Sequence, residues 1–367
     1  MSIVILVSVF CLLLTYLESE KKLAYGMFLG FCGITILYSL HYDFGTDYMT
    51  YYNNYLRTAA ANYSINDVFV LDNWRNGEYG WGLLQWICSK IDKRNGFFLL
   101  VIINSLIENL IIYKFIRKHA KREYWPFSVF VYLFNSSFYL LGFSMMRQWL
   151  AMCLILFAYD YILKKKIIIS FIIIYVASII HHTASILFPI IFIAYAPMKY
   201  AKYYGVSFFF VFAILMLEGD ALNLSLTIIM NQSETIEDYI TNYDDYGANK
   251  SFGIGFILNM IPFLLSIAYL IKSEDNKNKI LVLLACIGTM IIPFSQSLAL
   301  VKRMSLYFAI FSLISTPIVY SLIVEKRIRY LLIVLFIFMQ VWGYWGFLND
   351  PSYKSHYDEF KTIFPQL

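Results

Sequence analysis

The chain has 367 residues, of which 60% are hydrophobic and only 14% charged, with a mean hydropathy of +0.63. That composition excludes a soluble globular enzyme of this length and places the chain among polytopic, all-α integral membrane proteins. The net charge of +5 excludes little as a sum, because its distribution along the chain carries the information.

Apolar runs long enough to cross a bilayer predict twelve helices, near residues 2–17, 23–41, 97–116, 125–143, 147–163, 167–180, 183–197, 204–217, 253–271, 280–295, 304–324 and 330–348. The first run, "MSIVILVSVFCLLLTYLESEKK", lacks a positive n-region and a small-residue cleavage site, so a retained helix is expected rather than a signal peptide. Outside the second helix, "HYDFGTDYMTYYNNY" sets Asp43, Asp47, Tyr48, Tyr51, Tyr52 and Tyr55 along a short helix capped near Thr46. A solvated acidic loop is the alternative there, as it is for Glu78 in "RNGEYGWG". In "NGEYGWGLLQWICSKI", Trp81, Leu84, Ile87, Cys88 and Ile91 form a helical stripe suited to the bundle's outer surface.

The third helix carries Glu108 in mid-span, with Asn104, Ser105 and Asn109 on the same side by i, i+4 spacing. That stripe must face protein or water, as a proton or ion path or as packing between helices. In "LLGFSMMRQWLAMCLIL" Arg147 starts a helix with no acid near it in sequence, and Gln148 follows on the same turn. A cation at the positive end of a helix is electrostatically misplaced unless an anion sits between them; snorkelling to the headgroups is the alternative. Asp160 stands four residues before Lys164 and is expected to pair with it. His181 and His182, in "ASIIHHTASILFPI", favour two helices meeting at the outer surface over one long helix through 167–197. Neutral imidazoles serve there as base or ligand, or simply as hydrogen-bonded interface residues.

In the second outer loop, "SETIEDYITNYDDYG" predicts an amphipathic helix capped by Ser233 or Thr235, covering the entrance or the bundle end. Lys302 and Arg303 follow the polar break "PFSQSLAL" and start the next helix. Two basic clusters at helix starts on the outer side have the composition of an anion site, and phosphate is the usual anion.

The connections alternate in character. Short basic loops, around Lys21, Arg117, Lys165, Lys199, Lys277 and Arg327, are expected in the cytoplasm. The longer, more acidic segments 42–96, 218–252 and 349–367 then face outward, as do both termini. One polytopic domain over 1–367 is expected, without a soluble domain or a repeat. Many of the 31 tyrosines flank the apolar runs, where their rings suit the headgroup region, although aromatic faces also pack on sugars. The five cysteines form no CxxC and no HxxxH or HExxH occurs, so neither a disulfide framework nor a zinc site is expected. A Walker A loop is likewise missing from the sequence, so the chain is not expected to hydrolyse ATP itself.

Taken in order, "FGTDYMTYY", "GEYGWGLL", "MRQWLAMCL", "ASIIHHTASILFPI" and "KRMSLYF" resemble the EpsG/Wzy-type polysaccharide polymerases over most of the chain. The resemblance implies a GT-C-like helical architecture in a bacterial plasma (inner) membrane. It implies transfer of a growing glycan, as a block, between oligosaccharide units linked to undecaprenyl diphosphate on the outer face. No cofactor, metal or nucleic acid is implied; membrane lipids, the lipid-linked donor and acceptor, a chain-length regulator and a flippase are the partners it suggests. In that reading Arg147 and Arg303, supported by Lys302, neutralise the leaving diphosphate. His182, His181 and Asp47 are the base candidates, and Glu78, Tyr51 and Gln148 the acceptor contacts. The rival class is a flippase of lipid-linked oligosaccharides; it would want internal repeats and charges at the midplane, whereas here most charges lie at the outer face. A glycan-modifying membrane acyltransferase, using a His near the membrane, is the third class, and no acyl-donor site is evident for it.

Overall fold

The computed structural model describes residues 2–61, 63–70, 77–230, 254–291 and 299–366, and over them the chain is almost wholly helical. The outer-loop helix expected near Ser233 and most of the break at 293–298 lie outside these residues. Helix occurs at all twelve expected positions. Among the described residues five helices are long and apolar enough to cross a membrane: Ser2–Ser19, Gly96–His119, Met146–Leu163, Met198–Leu217 and Lys326–Asn349. A sixth span results if Arg303–Ala309 and Ser312–Tyr320, bent by 53° to each other, count as one. The other apolar helices are shorter; a 15-residue helix such as Gly26–Leu40 reaches only about 22 Å at 1.5 Å per residue.

The helices gather into two compact units, residues 1–194 with 340–367, and residues 195–339. The first contains α1 (Ser2–Ser19), α2 (Gly26–Leu40), α3 (Tyr48–Ala61), α4 (Ile65–Val68), α5 (Tyr79–Ile91), α6 (Gly96–His119), α7 (Trp125–Phe134), α8 (Tyr139–Ser144), α9 (Met146–Leu163) and α10 (Ile167–Ile180). The helix expected over 125–143 breaks into α7 and α8, because the Asn135 side chain accepts the Ser137 N–H (2.9 Å) and offers the backbone a turn instead. Beyond α10 the chain continues as a 3-10 helix over His182–Tyr195 that contains Pro189, so the two-helix reading of 167–197 holds. The second unit contains α11 (Ala201–Met230), α12 (Ile254–Lys272), α13 (Asn276–Met290), α14 (Ala299–Ala309) and α15 (Ser312–Tyr320) around Phe212, Phe263, Ile267 and Cys286. Helix α11 runs to Met230, so the expected outer loop 218–252 starts as helix; after Gly219 its sequence offers no further breaker.

Helix α16 (Lys326–Asn349) begins in the second unit and ends in the first, followed by α17 (Pro351–Tyr357). A two-stranded antiparallel bridge then joins β1 (His41–Tyr42) to β2 (Lys361–Thr362). Around it, the Gly45 N–H donates to the His356 carbonyl (3.0 Å), the Tyr357 hydroxyl to the Leu140 carbonyl (3.3 Å), and Lys361 pairs with Asp43 (3.2 Å).

At the opposite end of α6 and α9 the pairing differs from expectation. Asp160 meets Lys118 (2.6 Å) and His119 (2.9 Å) on α6 rather than Lys164 on its own helix, because the buried His119 ring requires a partner there. The outer-loop helix α5 also buries a different face. Trp81, Gln85, Cys88 and Ser89 point inward, while Ile87 and Ile91 are exposed. The rotation follows from Gly80: a Cβ there would stand 3.0 Å from the Ile179 carbonyl oxygen, so the first turn of α5 is pressed onto the backbone of α10.

Candidate functional site

The site forms where α3 and α5 meet the start of α9 and the end of α10. Arg147 is the second residue of α9, directly after the break at Met145. The loop before α3 is pressed onto the end of α8 at Gly45, which has a φ of +111° and where a Cβ would stand 2.6 Å from the Phe143 carbonyl oxygen, so no side chain fits. Thr46 and Ser144 share a hydrogen bond, and the Ser144 hydroxyl accepts the Asp47 N–H (3.3 Å). These contacts fix α3, and α3 then carries Tyr51 to Arg147. The Arg147 Nε donates to the Tyr51 hydroxyl (3.4 Å), and its guanidinium carbon lies 5.2 Å from the Tyr51 ring centre. Tyr51 in turn packs on Trp81.

Glu78 is the hub. It follows Gly77, which adopts a φ of +71°, and its carbonyl accepts the Gly82 N–H (3.2 Å) at the start of α5. Its Oε2 accepts from Arg147 Nη1. Its Oε1 accepts from His181 Nδ1 (2.6 Å), from the His182 N–H (3.3 Å) and from His182 Nδ1 (3.4 Å). One carboxylate thus binds a permanent cation on one oxygen and two imidazoles on the other. The expected anion at the start of α9 exists, and it is a side chain of the same protein.

Burial by itself would raise the Glu78 carboxyl; the hydrogen bonds from His181 and His182 and the charge of Arg147 outweigh it and hold the group well below the usual carboxylate range. Burial lowers His181, against the pull of Glu78, so its ring is neutral near pH 7 and its Nδ1–H is the donor to the carboxylate. Side-chain exposure grades the cluster: 4% for Glu78, 7% for His181, 28% for Arg147 and 39% for His182. His182 is therefore the imidazole open to a ligand, and His181 the one enclosed by protein.

The structure brings together Asp47, Tyr51, Glu78, Arg147, His181 and His182. Asp47 is half-buried at the rim, within electrostatic reach of Tyr51 and Arg147. Gln148 is buried one residue further along α9. The solvated-loop alternative fails for Glu78, which is buried, and snorkelling fails for Arg147, which is held by Glu78 and Tyr51. Lys302 and Arg303 belong to the second unit and sit within the first turns of α14 rather than before it, because the helix begins at Ala299. The sequence does not reveal the hub role of Glu78; its one signal there is an acid on the side expected to hold an arginine in need of an anion.

Glu78, His181 and His182 also offer ligand atoms within 4.8 Å of one another, the one group of metal-ligand types so placed among the described residues. The Arg147 guanidinium already neutralises that carboxylate, which weakens the case for a divalent ion there.

A family model described as the EpsG family matches residues 23–357, a span that contains every residue of this cluster. No curated protein and no solved structure matches the chain.

Proposed function

The chain belongs to the EpsG family, and from that premise we propose that it polymerises oligosaccharide units carried on undecaprenyl diphosphate, at the outer face of a bacterial plasma membrane. Membership carries a polysaccharide-polymerase role, glycosyl transfer in broad terms, and a multi-pass membrane setting. The finer reading adds about twelve spans in a GT-C-like arrangement, block transfer without a metal ion, and a chain-length regulator and a flippase as partners.

The cluster of Arg147, Glu78, His181 and His182 carries the proposal, because it supplies the groups that inverting glycosyl transfer requires. His182, the most exposed of the four, takes the proton of the acceptor hydroxyl. The freed oxygen attacks the anomeric carbon of the donor, whose bond to the diphosphate oxygen breaks with inversion. Arg147 receives the developing charge on the lipid diphosphate; a guanidinium has five N–H donors, and Glu78 engages only Nη1. Glu78 stabilises the imidazolium that forms on His182 and, through His181, fixes the pair. Asp47 and Tyr51 line the acceptor side; a diphosphate role for Arg303 and Lys302 rests on their sequence alone.

The glycan ladder of a strain lacking the protein tests this reading. Loss of polymer with a single repeat unit retained is expected. Loss of every exported unit would replace the polymerase with a flippase.

A further inference from the structure

A second polar cluster lies inside the first unit, away from the histidines and Arg147. Glu108 is fully buried; no donor among the described residues makes a well-formed hydrogen bond to either carboxylate oxygen, and the one hydroxyl that interacts with the carboxyl is that of Tyr38. One turn earlier on α6, Asn104 is buried too, and both its amide oxygen and its amide nitrogen are without partners. The other two polar groups of the stripe are satisfied. Ser105 donates to the Thr35 carbonyl (2.9 Å), and Asn109 donates to the Ser105 carbonyl (3.0 Å) and accepts from Tyr132 (2.8 Å). Tyr132 and Cys153 stand around Glu108, and the Tyr38 hydroxyl interacts with its carboxyl; because that hydroxyl gives its proton to the Gly142 carbonyl, it has none left to donate to the carboxylate. Glu108 lies about 18 Å along α6 from Gly96 and nearly as far from His119, which puts it at mid-span.

The two unpaired Asn104 amide atoms at that depth cost several kcal/mol each if the site is left dry, and a carboxylate with no proton donated to it costs more. We propose that Glu108 and Asn104 form a mid-membrane binding site for a small monovalent cation of the sodium class, separate from the glycan-transfer cluster. A hard cation takes oxygen ligands, which the Glu108 carboxylate and the Asn104 carbonyl supply, with water completing the shell and accepting from the Asn104 amide. The charge count selects the valence. One carboxylate with no basic partner among the described residues is neutralised by a single positive charge, whereas a divalent ion would leave an excess charge in the membrane interior. A proton on Glu108 would balance the charge but leave the Asn104 amide unsatisfied. The proposal stands on α6 alone and does not rest on the polymerase reading.

The test is thermal unfolding of the full chain in mild detergent at constant ionic strength, with sodium chloride replaced stepwise by choline chloride. Above the dissociation constant, Tm is expected to rise by about 2 °C per tenfold increase in sodium, as for any ligand of the native state alone. Asn104→Ala should move the sodium midpoint at least tenfold higher, and Glu108→Gln should abolish the dependence. A wild-type Tm indifferent to sodium overturns the proposal, whether or not Glu108→Gln folds. So does a sodium response that survives in Glu108→Gln. A Tm that ignores sodium but falls at alkaline pH in the wild type identifies a proton as the occupant and also overturns it.

Discussion

Replacing Glu78 by Gln keeps the size of the side chain but removes its charge and one of its two acceptors. The carboxylate serves Arg147 with one oxygen and both histidines with the other. An amide oxygen turned to the histidines leaves an NH2 group facing the guanidinium; turned to Arg147, it faces the NH2 towards the His182 backbone N–H, a donor that no change of tautomer can reverse. Either orientation sets donor against donor and leaves Arg147 without its counter-charge. Breaking a buried pair by removing one partner typically costs about 3–5 kcal/mol. Arg147 retains 28% exposure, so the expectation is scaled down to about 2–4 kcal/mol. The control is Arg147→Met, alone and combined with Glu78→Gln. Removing both charges leaves no orphan, so the double variant is expected to be less destabilised than the sum of the singles by at least about 1.5 kcal/mol. Reversible denaturant unfolding in detergent, followed by tryptophan fluorescence, gives the cycle. Additivity within about 0.5 kcal/mol would refute the reasoning, since residues in direct ionic contact couple by more than that.

In the polymerisation assay with purified protein and lipid-linked units, Arg147→Lys should rescue poorly relative to wild type, because an ammonium lacks the planar fork that grips two oxygens; full activity would remove Arg147 from the diphosphate. His182→Ala should slow turnover by roughly 10²–10⁴-fold while donor binding persists, and near-normal turnover together with an inactive, donor-binding Asp47→Asn would transfer the base role to Asp47. Stability should also fall with acid in two stages. Burial holds His41 down to about 3, so the unfolded chain gains a proton below its ordinary 6.5 that the folded chain refuses, and stability is lost as pH falls from there; the depressed Glu78 adds its loss below about 4.5. Burial lowers His181 as well, so His41→Gln should shrink the upper stage of a Tm–pH profile without removing it and leave the lower one; an unchanged upper slope would count against the His41 assignment. Cysteine probes at Lys165 and at Asn66 should label from opposite sides of the membrane, and labelling from the same side would sink the inside–outside alternation.

Helix positions were legible in the sequence because hydropathy reports them directly, and so was the break at His181. The character of individual helices was not. The Asn135 turn and the 3-10 segment around Pro189 depend on local hydrogen bonding that an apolar run hides. The inward face of α5 was misread because apolar spacing pointed to Ile87 and Ile91, whereas Gly80 and its contact with α10 set the rotation. Of the site, the residue types were visible and the connections were not. Arg147 advertised a missing anion, but its partner lies 69 residues away in a loop whose acids looked solvated. Asp160 shows the same limit: a partner four residues away in sequence lost to two on a neighbouring helix.

The β1–β2 bridge has a consequence for biogenesis. Asp43 and Lys361 are 318 residues apart, and the ribosome adds roughly 5–20 residues per second. For about 15–60 s after the His41–Asp47 segment is made, the strand that completes it does not yet exist. During that interval β1 has an unpaired edge, Gly45 lacks its carbonyl partner, and the loop that fixes Tyr51 against Arg147 is held from one side only. A nascent chain stalled before Lys361 would thus already hold Glu78, Arg147 and both histidines, yet present the transfer cluster on an unfinished support. Completion of that support is timed by delivery of the late segment to β1.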